Sequence, residues 1–241
     1  MFTLIIPAAG KGRRLKGAVN VPKMLIKVRG KLLLEWQLLA IGVHRIEKLV
    51  IIGGYRFKFL KKTISDLNLP FPVLFIENEQ YALTNAAYSL FLARQYFEKG
   101  FIYLNSDLLF SKSDFLKLIR SGYKNVILSR KISSDTTDQH KISLNGCRIE
   151  NMDVSISGTY QAEAVGPAKV SNGAVKKLLR IYDSFSVEKK RAMHVYSLFG
   201  YLAKEYPFYV EYINDQKWIE IDTPANLKYA NHLLRTKTFL L

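Results

Sequence analysis

Through about residue 130 the chain alternates short apolar runs with stretches of helical periodicity, and few folds accommodate that order. Phe2 to Ile6 is an apolar run broken at Pro7-Ala8-Ala9-Gly10, so it is expected as a buried strand entering a loop. Lys48 to Ile52, Pro72 to Ile76, Phe101 to Leu104 and Val126 to Leu128 repeat the pattern. Between them, Leu32 to Ile41 and Asn85 to Tyr96 have the length of packed helices. Tyr55 to Leu67 spaces Phe57, Leu60, Ile64 and Leu67 at helical intervals. A further helix is expected from Ser113-Asp114, capped by Ser113. This order predicts an α/β protein whose mostly parallel, mixed central sheet is covered by helices on both faces.

Beyond residue 130 the texture changes. Ile132 to Gly158 is polar and turn-rich, with short strands expected near Lys141 to Leu144. Ala162 to Val170 and Phe208 to Ile213 read as strands, and Gly173 to Tyr182 as a helix. Thr223-Pro224 opens a last helix running to about Leu234, with Thr223 as cap and Pro224 at the first helical position. With no repeat or interdomain linker, 241 residues suit one domain. A composition of 49% hydrophobic and 23% charged residues supports a sizeable core without a disulfide or metal staple.

The single cysteine, Cys147, rules out a disulfide within the chain, and the reducing cytosol is the expected compartment. No apolar run approaches the roughly 18 residues of a membrane-spanning helix. The opening segment is too short for a signal peptide and lacks a basic leader. The net charge of +16 predicts a surface that attracts anions, whether nucleotides, nucleic acid or acidic membranes, or else a merely solvated basic face. Most basic residues are scattered, but Lys11 to Arg14 has glycine woven into it.

That loop is the first place where chemistry is expected. Ala8-Ala9-Gly10-Lys11-Gly12-Arg13-Arg14-Leu15 directly follows the first strand, with Pro22-Lys23 shortly after. Small residues let backbone N–H groups approach phosphate oxygens, and the basic side chains add charge. The spacing is neither that of a Walker A loop nor of a dinucleotide-binding glycine fingerprint. The second place is Asp107, just past the carboxyl end of the Phe101 strand, where open α/β sheets bind their ligands. One carboxylate with substrate phosphate oxygens suits magnesium. The third is Trp218-Ile219-Glu220-Ile221-Asp222-Thr223-Pro224. Extended backbone puts Glu220 and Asp222 on one face, and their repulsion calls for a cation between them, such as a metal shared with Asp107. The alternative makes Asp222 a contributor to the cap of the last helix and leaves Glu220 merely exposed.

Ile6-Pro7-Ala8-Ala9-Gly10-x-Gly12-x-Arg14-Leu15 followed by Pro22-Lys23 resembles the signature loop of the sugar-nucleotidyltransferase superfamily. The resemblance implies a Rossmann-like nucleotidyltransferase fold in which the loop wraps a triphosphate and the lysine contacts phosphate. It gives Ala8, Ala9, Gly10, Gly12, Arg14 and Lys23 nucleotide-binding roles, and Lys23, Arg14 and Asp107 catalytic ones. The segment around Glu220-Ile221-Asp222 resembles the branch that handles phosphocholine, inositol phosphate and aminoethylphosphonate with CTP. Asn78 to Leu90 is similar to that branch's Asn-x-x-Tyr…Asn-Asn-x-Tyr-Ser-Leu element, which places Asn85 and Ser89 near the nucleotide and acceptor. Here Ala86 stands for the second Asn, and Ser106 for the glycine or alanine that usually precedes the aspartate. The strand from Glu163 to Lys169 resembles the branch's Gly-x-x-Lys strand near the acceptor, although it contains Pro167. Tyr88, Lys169 and Trp218 are thereby expected at the acceptor.

The implied function is magnesium-dependent transfer of a nucleoside monophosphate, CMP from CTP, to a small phosphorylated acceptor such as phosphocholine, with release of pyrophosphate. Asp107, Glu220 and Asp222 would hold the metal. Residues 1–130 would form the nucleotide-binding half, and 131–241 the acceptor-binding half with its terminal helix. A homodimer, but neither membrane insertion nor nucleic acid as partner, accords with this picture. Alternatives are a sugar-1-phosphate nucleotidyltransferase using another triphosphate, or a non-catalytic anion- or nucleic-acid-binding protein on the same fold. His44, His140, His194 and His232 show no ligand spacing and are expected to be solvated or structural. Tyr81, Tyr88, Tyr160 and Trp218 could box a quaternary ammonium, but ordinary packing is the expectation for each.

Overall fold

The computed structural model describes residues 1–15, 20–132, 140–156 and 159–235. Its first half runs β1 (Phe2–Ala8), β2 (Lys27–Val28), β3 (Lys31–Leu32), α1 (Leu33–Ile41), β4 (Ile46–Gly53), α2 (Phe57–Ser65), β5 (Val73–Glu77) and α3 (Ala86–Leu92). There follow β6 (Gly100–Tyr103), β7 (Leu108–Phe110), α4 (Lys112–Arg120), β8 (Val126–Lys131), β9 (His140–Asn145) and β10 (Arg148–Asp153). The remainder is β11 (Ala162–Ser171), α5 (Asn172–Asp183), α6 (Val187–Ala192), α7 (Val195–Glu205), β12 (Tyr209–Tyr212), β13 (Trp218–Glu220) and α8 (Pro224–Leu233).

Among the described residues nine strands form one mixed sheet in the order β5-β4-β1-β6-β11-β8-β12-β10-β9. The first four are mutually parallel. Antiparallel pairing enters with β11, which lies between β6 and β8 and also pairs with β9. Strands from both halves of the chain therefore share the sheet. Two small ribbons, β2–β3 and β7–β13, lie outside it.

Period-two alternation explains how the sheet is covered. On β1 and β4, Ile5, Val50 and Ile52 face one core with Leu90, Leu178 and Phe199 from α3, α5 and α7. Leu4, Ile6, Leu49 and Ile51 face the other, with Leu34, Leu38, Leu60 and Phe115 from α1, α2 and α4. Burial on both faces is why these strands read as unbroken apolar runs. A third, smaller core joins Leu15 of the glycine loop to Ile26, Val28 and Leu33, to Ile219 and Ile221, and to Ala230 and Leu233 of α8. It pins the loop, β13 and the last helix together.

The expected elements are present, joined by β2, β3, β7 and α6, which the sequence reading lacks, and three further differences concern a cap, a proline and a helix. Ser111, not Ser113, caps α4: it is fully buried, and its hydroxyl accepts from the Asp114 backbone N–H at 3.2 Å. Pro167 is accommodated because β11 shifts register against β8 between Ala164 and Ala168, where a missing ladder donor does no harm. The helix α7 has no counterpart in the sequence reading. Val195, Tyr196, Ser197, Leu198, Phe199, Gly200, Leu202 and Ala203 are all buried, and only Tyr201, Lys204 and Glu205 reach solvent, so the helix reads as apolar almost to its C-terminal end. Its Gly200 lies so close to β10 that a Cβ would sit 2.1 Å from the Met152 carbonyl oxygen.

Candidate active site

The glycine loop leaves the carboxyl edge of β1 and folds back on itself. Leu15 N–H donates to the Gly12 carbonyl at 3.0 Å, and Tyr55 N–H donates to the Ala9 carbonyl at 3.0 Å. Gly12 has φ +59°, a left-handed conformation that suits glycine, and a Cβ there would meet the Lys23 side chain at 3.3 Å. Lys23 is held by its neighbours Met24 and Leu25, both buried.

The Lys23 ammonium donates to Asp107 Oδ2 at 2.7 Å and also to Asp222 Oδ1. Arg14 Nη2 donates to Asp222 Oδ2 at 2.5 Å. The carboxylates of Asp107, Glu220 and Asp222 each offer an oxygen within 4.8 Å of the others. What brings them together is the antiparallel β7–β13 ribbon, with Leu108 opposite Glu220 and Ile221 N–H donating to the Asp107 carbonyl at 2.9 Å. Ile219 and Ile221 point into the third core, which turns Glu220 and Asp222 to the opposite face. The cap of α8 is Thr223, whose hydroxyl accepts from Asn226 N–H at 3.2 Å. The Asp222 carboxylate therefore belongs to the cluster, not to the helix.

Burial, and then the charges of Asp107 and Asp222, push the Glu220 carboxyl up to about 8. Burial opposes ionisation of Lys23 too, but Asp107 and Asp222 outweigh it and hold its ammonium above the usual value. Two aspartates thus face Lys23 and Arg14, and burial favours the protonated form of Glu220 beside them. An all-oxygen set of three carboxylates is the donor chemistry that a hard divalent cation such as magnesium prefers.

Two cavities meet at this cluster. The larger, about 550 Å³, is lined by Ala8, Gly10, Gly12, Arg14, Lys23, Asn85, Ser106, Asp107 and Asp222 among others. The smaller, about 230 Å³, shares Arg14, Ala86, Tyr103, Asn105 and Asp222, and adds Glu220, His140, His194, Tyr196, Ala164 and Val165. Most residues expected around the nucleotide thus surround the first cavity. Ala9 is buried behind the loop. Ser89 is also buried, and its hydroxyl accepts from Asn78 Nδ2 at 3.0 Å, so it anchors the 78–85 loop and does not face a ligand.

The expected acceptor residues require correction. Lys169 donates to the Ser121 carbonyl at 3.2 Å and lines a separate cavity with Phe2 and Gly100, at the opposite end of β1 and β6. Tyr88 and Trp218 line neither of the two site cavities. Trp218 packs beneath the Arg130 guanidinium, 5.7 Å from the ring centroid. Tyr81 and Tyr160 lie under Lys11 and Lys141, at 5.6 and 4.7 Å.

The smaller cavity is lined instead by two histidines that sequence spacing had set aside. The His140 and His194 rings are 5.0 Å apart, and His140 is also 5.0 Å from Tyr196. Asn85 Nδ2 lies 3.0 Å from His194 Nε2, and Tyr196 donates to Asn105 Oδ1 at 2.7 Å. Burial, then the neighbouring His194, pushes His140 down to about 4, and burial lowers His194 as well. No sequence signal finds them: they begin β9 and precede α7, and only the fold brings them together.

A parallel α/β half with a glycine loop and a carboxylate cluster at its carboxyl edge defines the chain as a nucleotide-handling α/β protein. It belongs to the MobA-like NTP transferase domain family, whose model matches residues 4–131. Choline-phosphate cytidylyltransferase from Streptococcus pneumoniae is 33% identical over 123 residues, covering 51% of this chain and 52% of that protein. The match thus spans about half the length of that relative. The 2-aminoethylphosphonate cytidylyltransferase of Lancefieldella rimae is 25% identical over 232 residues, covering 95% of this chain and 91% of that protein. The solved inositol-1-phosphate CTP transferase from T. maritima superposes with a TM-score of 0.80 at 24% identity, over 100% of this chain and 98% of that one. At that identity the superposition speaks for the fold alone.

Proposed function

We propose that the chain is a cytidylyltransferase that moves CMP from CTP to a small phosphorylated acceptor and releases pyrophosphate. The observation that carries the reading is the meeting of Lys23 and Arg14 with three carboxylates at the seam between two cavities. One cavity has the glycine loop for a triphosphate, and the other has room for an acceptor. The choice of CTP rests on the relatives' substrates, which share that nucleotide while their acceptors differ.

An acceptor phosphate oxygen attacks the α-phosphorus in line, forming a new P–O bond as the bond to the β-phosphate oxygen breaks. Pyrophosphate leaves with that electron pair. The second phosphate pKa is roughly 6, so the attacking oxygen is largely ionised near neutral pH and no general base is required. What remains is positioning and charge neutralisation. Lys23 and Arg14, together with the N–H groups of the glycine loop, stabilise the triphosphate and the departing pyrophosphate. Asp107, Glu220 and Asp222 would hold magnesium, which supplies charge neutralisation at the phosphate oxygens when bound.

The test is pyrophosphate release with magnesium, each of the four common ribonucleoside triphosphates or dTTP, and a panel of phospho-acceptors including phosphocholine. Release with CTP that disappears in Asp107→Ala supports the reading. Release only with another triphosphate and a sugar 1-phosphate moves the chain to the sugar branch. Full turnover in Asp107→Ala would remove its metal role, and silence across the panel would sink the transfer reading.

A further inference from the structure

The smaller cavity says something about the acceptor that neither the glycine loop nor the carboxylates do. We infer that His140 and His194 read hydroxyl groups there, so that the acceptor is the phosphate ester of a neutral hydroxylated compound, a polyol or sugar, and not of an amine or quaternary ammonium. The inference rests on the transfer reading above.

His140 Nε2 is buried and has no hydrogen-bond partner. A buried polar atom left unpaired is destabilising, so one beside a cavity marks a place where a ligand hydroxyl can be satisfied. Next to it, the Asn85 amide donates to His194 Nε2, which leaves the proton of the neutral ring on Nδ1. Both imidazoles are held uncharged near neutral pH by burial; the His194 acceptor is taken by Asn85, which leaves its Nδ1–H as donor beside the unpartnered His140 Nε2. A hydroxyl, itself donor and acceptor, matches such a pair.

A cationic headgroup finds less there. The charged groups on the cavity wall, Arg14, Asp222 and Glu220, all belong to the cluster that serves phosphate and metal, where Arg14 and Asp222 pair with each other. The aromatic rings are already engaged: Tyr196 meets Tyr103 edge to face at 6.0 Å, and its hydroxyl is spent on Asn105. Asp222 is balanced by Arg14 and Lys23. Away from the cluster the lining is neutral, with Ala164, Val165 and Val195 beside the histidines. At about 230 Å³ the space falls below the roughly 300–1,000 Å³ of drug-sized sites and takes only a small body.

The experiment compares inositol 1-phosphate with phosphocholine in steady-state turnover, using the triphosphate that the panel above selects, on wild type, His140→Phe and His140→Gln. The polyol phosphate should have a KM at least roughly 10-fold below that of phosphocholine. His140→Phe keeps the ring but not the hydrogen bond, and should raise the acceptor KM roughly 10- to 100-fold while kcat and the KM for triphosphate stay near wild type. His140→Gln should recover most of that loss. Equal or better use of phosphocholine overturns the inference, as does an acceptor KM unmoved in both variants. If no triphosphate supports turnover, the transfer reading falls by itself, and calorimetric titration of the same two esters with magnesium decides the matter. Polyol-phosphate binding that is tighter than that of phosphocholine and lost in His140→Phe sustains the inference; anything else refutes it.

Discussion

Lys23 and Asp107, 84 residues apart in the chain, form a 2.7 Å ion pair whose side chains are only 18% and 13% exposed. The same ammonium reaches Asp222, so one cation binds two of the three carboxylates. Removing it leaves them facing each other in a partly desolvated site. In magnesium-free buffer Lys23→Met should therefore lose roughly 3 kcal/mol of stability, read as a fall in Tm of roughly 6–12 °C. Magnesium should restore more Tm to the variant than it adds to wild type. Turnover should fall roughly 100- to 1,000-fold, because positive charge is lost where the pyrophosphate forms.

His140 makes stability depend on pH. Its value is about 4 in the folded chain against 6.5 unperturbed, so between those values the unfolded state binds more protons. Stability from this group is present above pH 6.5 and is lost as pH falls toward 4. The groups around it are His194, whose like charge opposes its protonation, and Asp153, which favours it, with Tyr196 packed on its ring. The difference amounts to roughly 3 kcal/mol over that window. Urea midpoints from pH 4 to 7 should show a shallower acid slope in His140→Gln than in wild type, and parallel slopes would refute the assignment.

Gly200 tests the packing of α7. An alanine methyl would have to displace the Met152 backbone, since its carbon would sit 2.1 Å from that carbonyl oxygen. Gly200→Ala should destabilise by about 2–3 kcal/mol despite alanine's better helix propensity. A urea midpoint at or above that of wild type, with an unchanged m value, would contradict the close approach of helix and strand.

The cap of α4 separates two neighbouring serines. Ser111 accepts from Asp114 N–H and donates to the Asp114 carboxylate at 2.8 Å, whereas Ser113 contributes one hydroxyl contact to Ser111 at 2.9 Å. Ser111→Ala should cost about 1–2 kcal/mol and Ser113→Ala well under 1. Thermal or urea unfolding of the two variants in parallel decides it, and equal losses would return the cap to open question.

The amino-acid order by itself determined the alternation of strands and helices to residue 130, the glycine loop after β1, the Thr223-Pro224 start of α8, and the shared face of Glu220 and Asp222. Each of these is a local matter of side-chain period, backbone freedom or capping, and so it is written in neighbouring residues. Tertiary structure alone decided the rest. The β7–β13 pairing that carries Asp107 to Glu220 joins short strands more than a hundred positions apart. The helix α7 meets solvent only through Tyr201, Lys204 and Glu205, a strip too short for its period to be read from the sequence. Lys169 was drawn to the acceptor by its motif, yet β11 sends its side chain to the Ser121 carbonyl instead. His140 and His194 became neighbours only because β9 and α7 pack against one another's ends around Tyr196. Such contacts depend on which buried faces and strand edges fit across the whole fold, and spacing along the chain does not encode that fit.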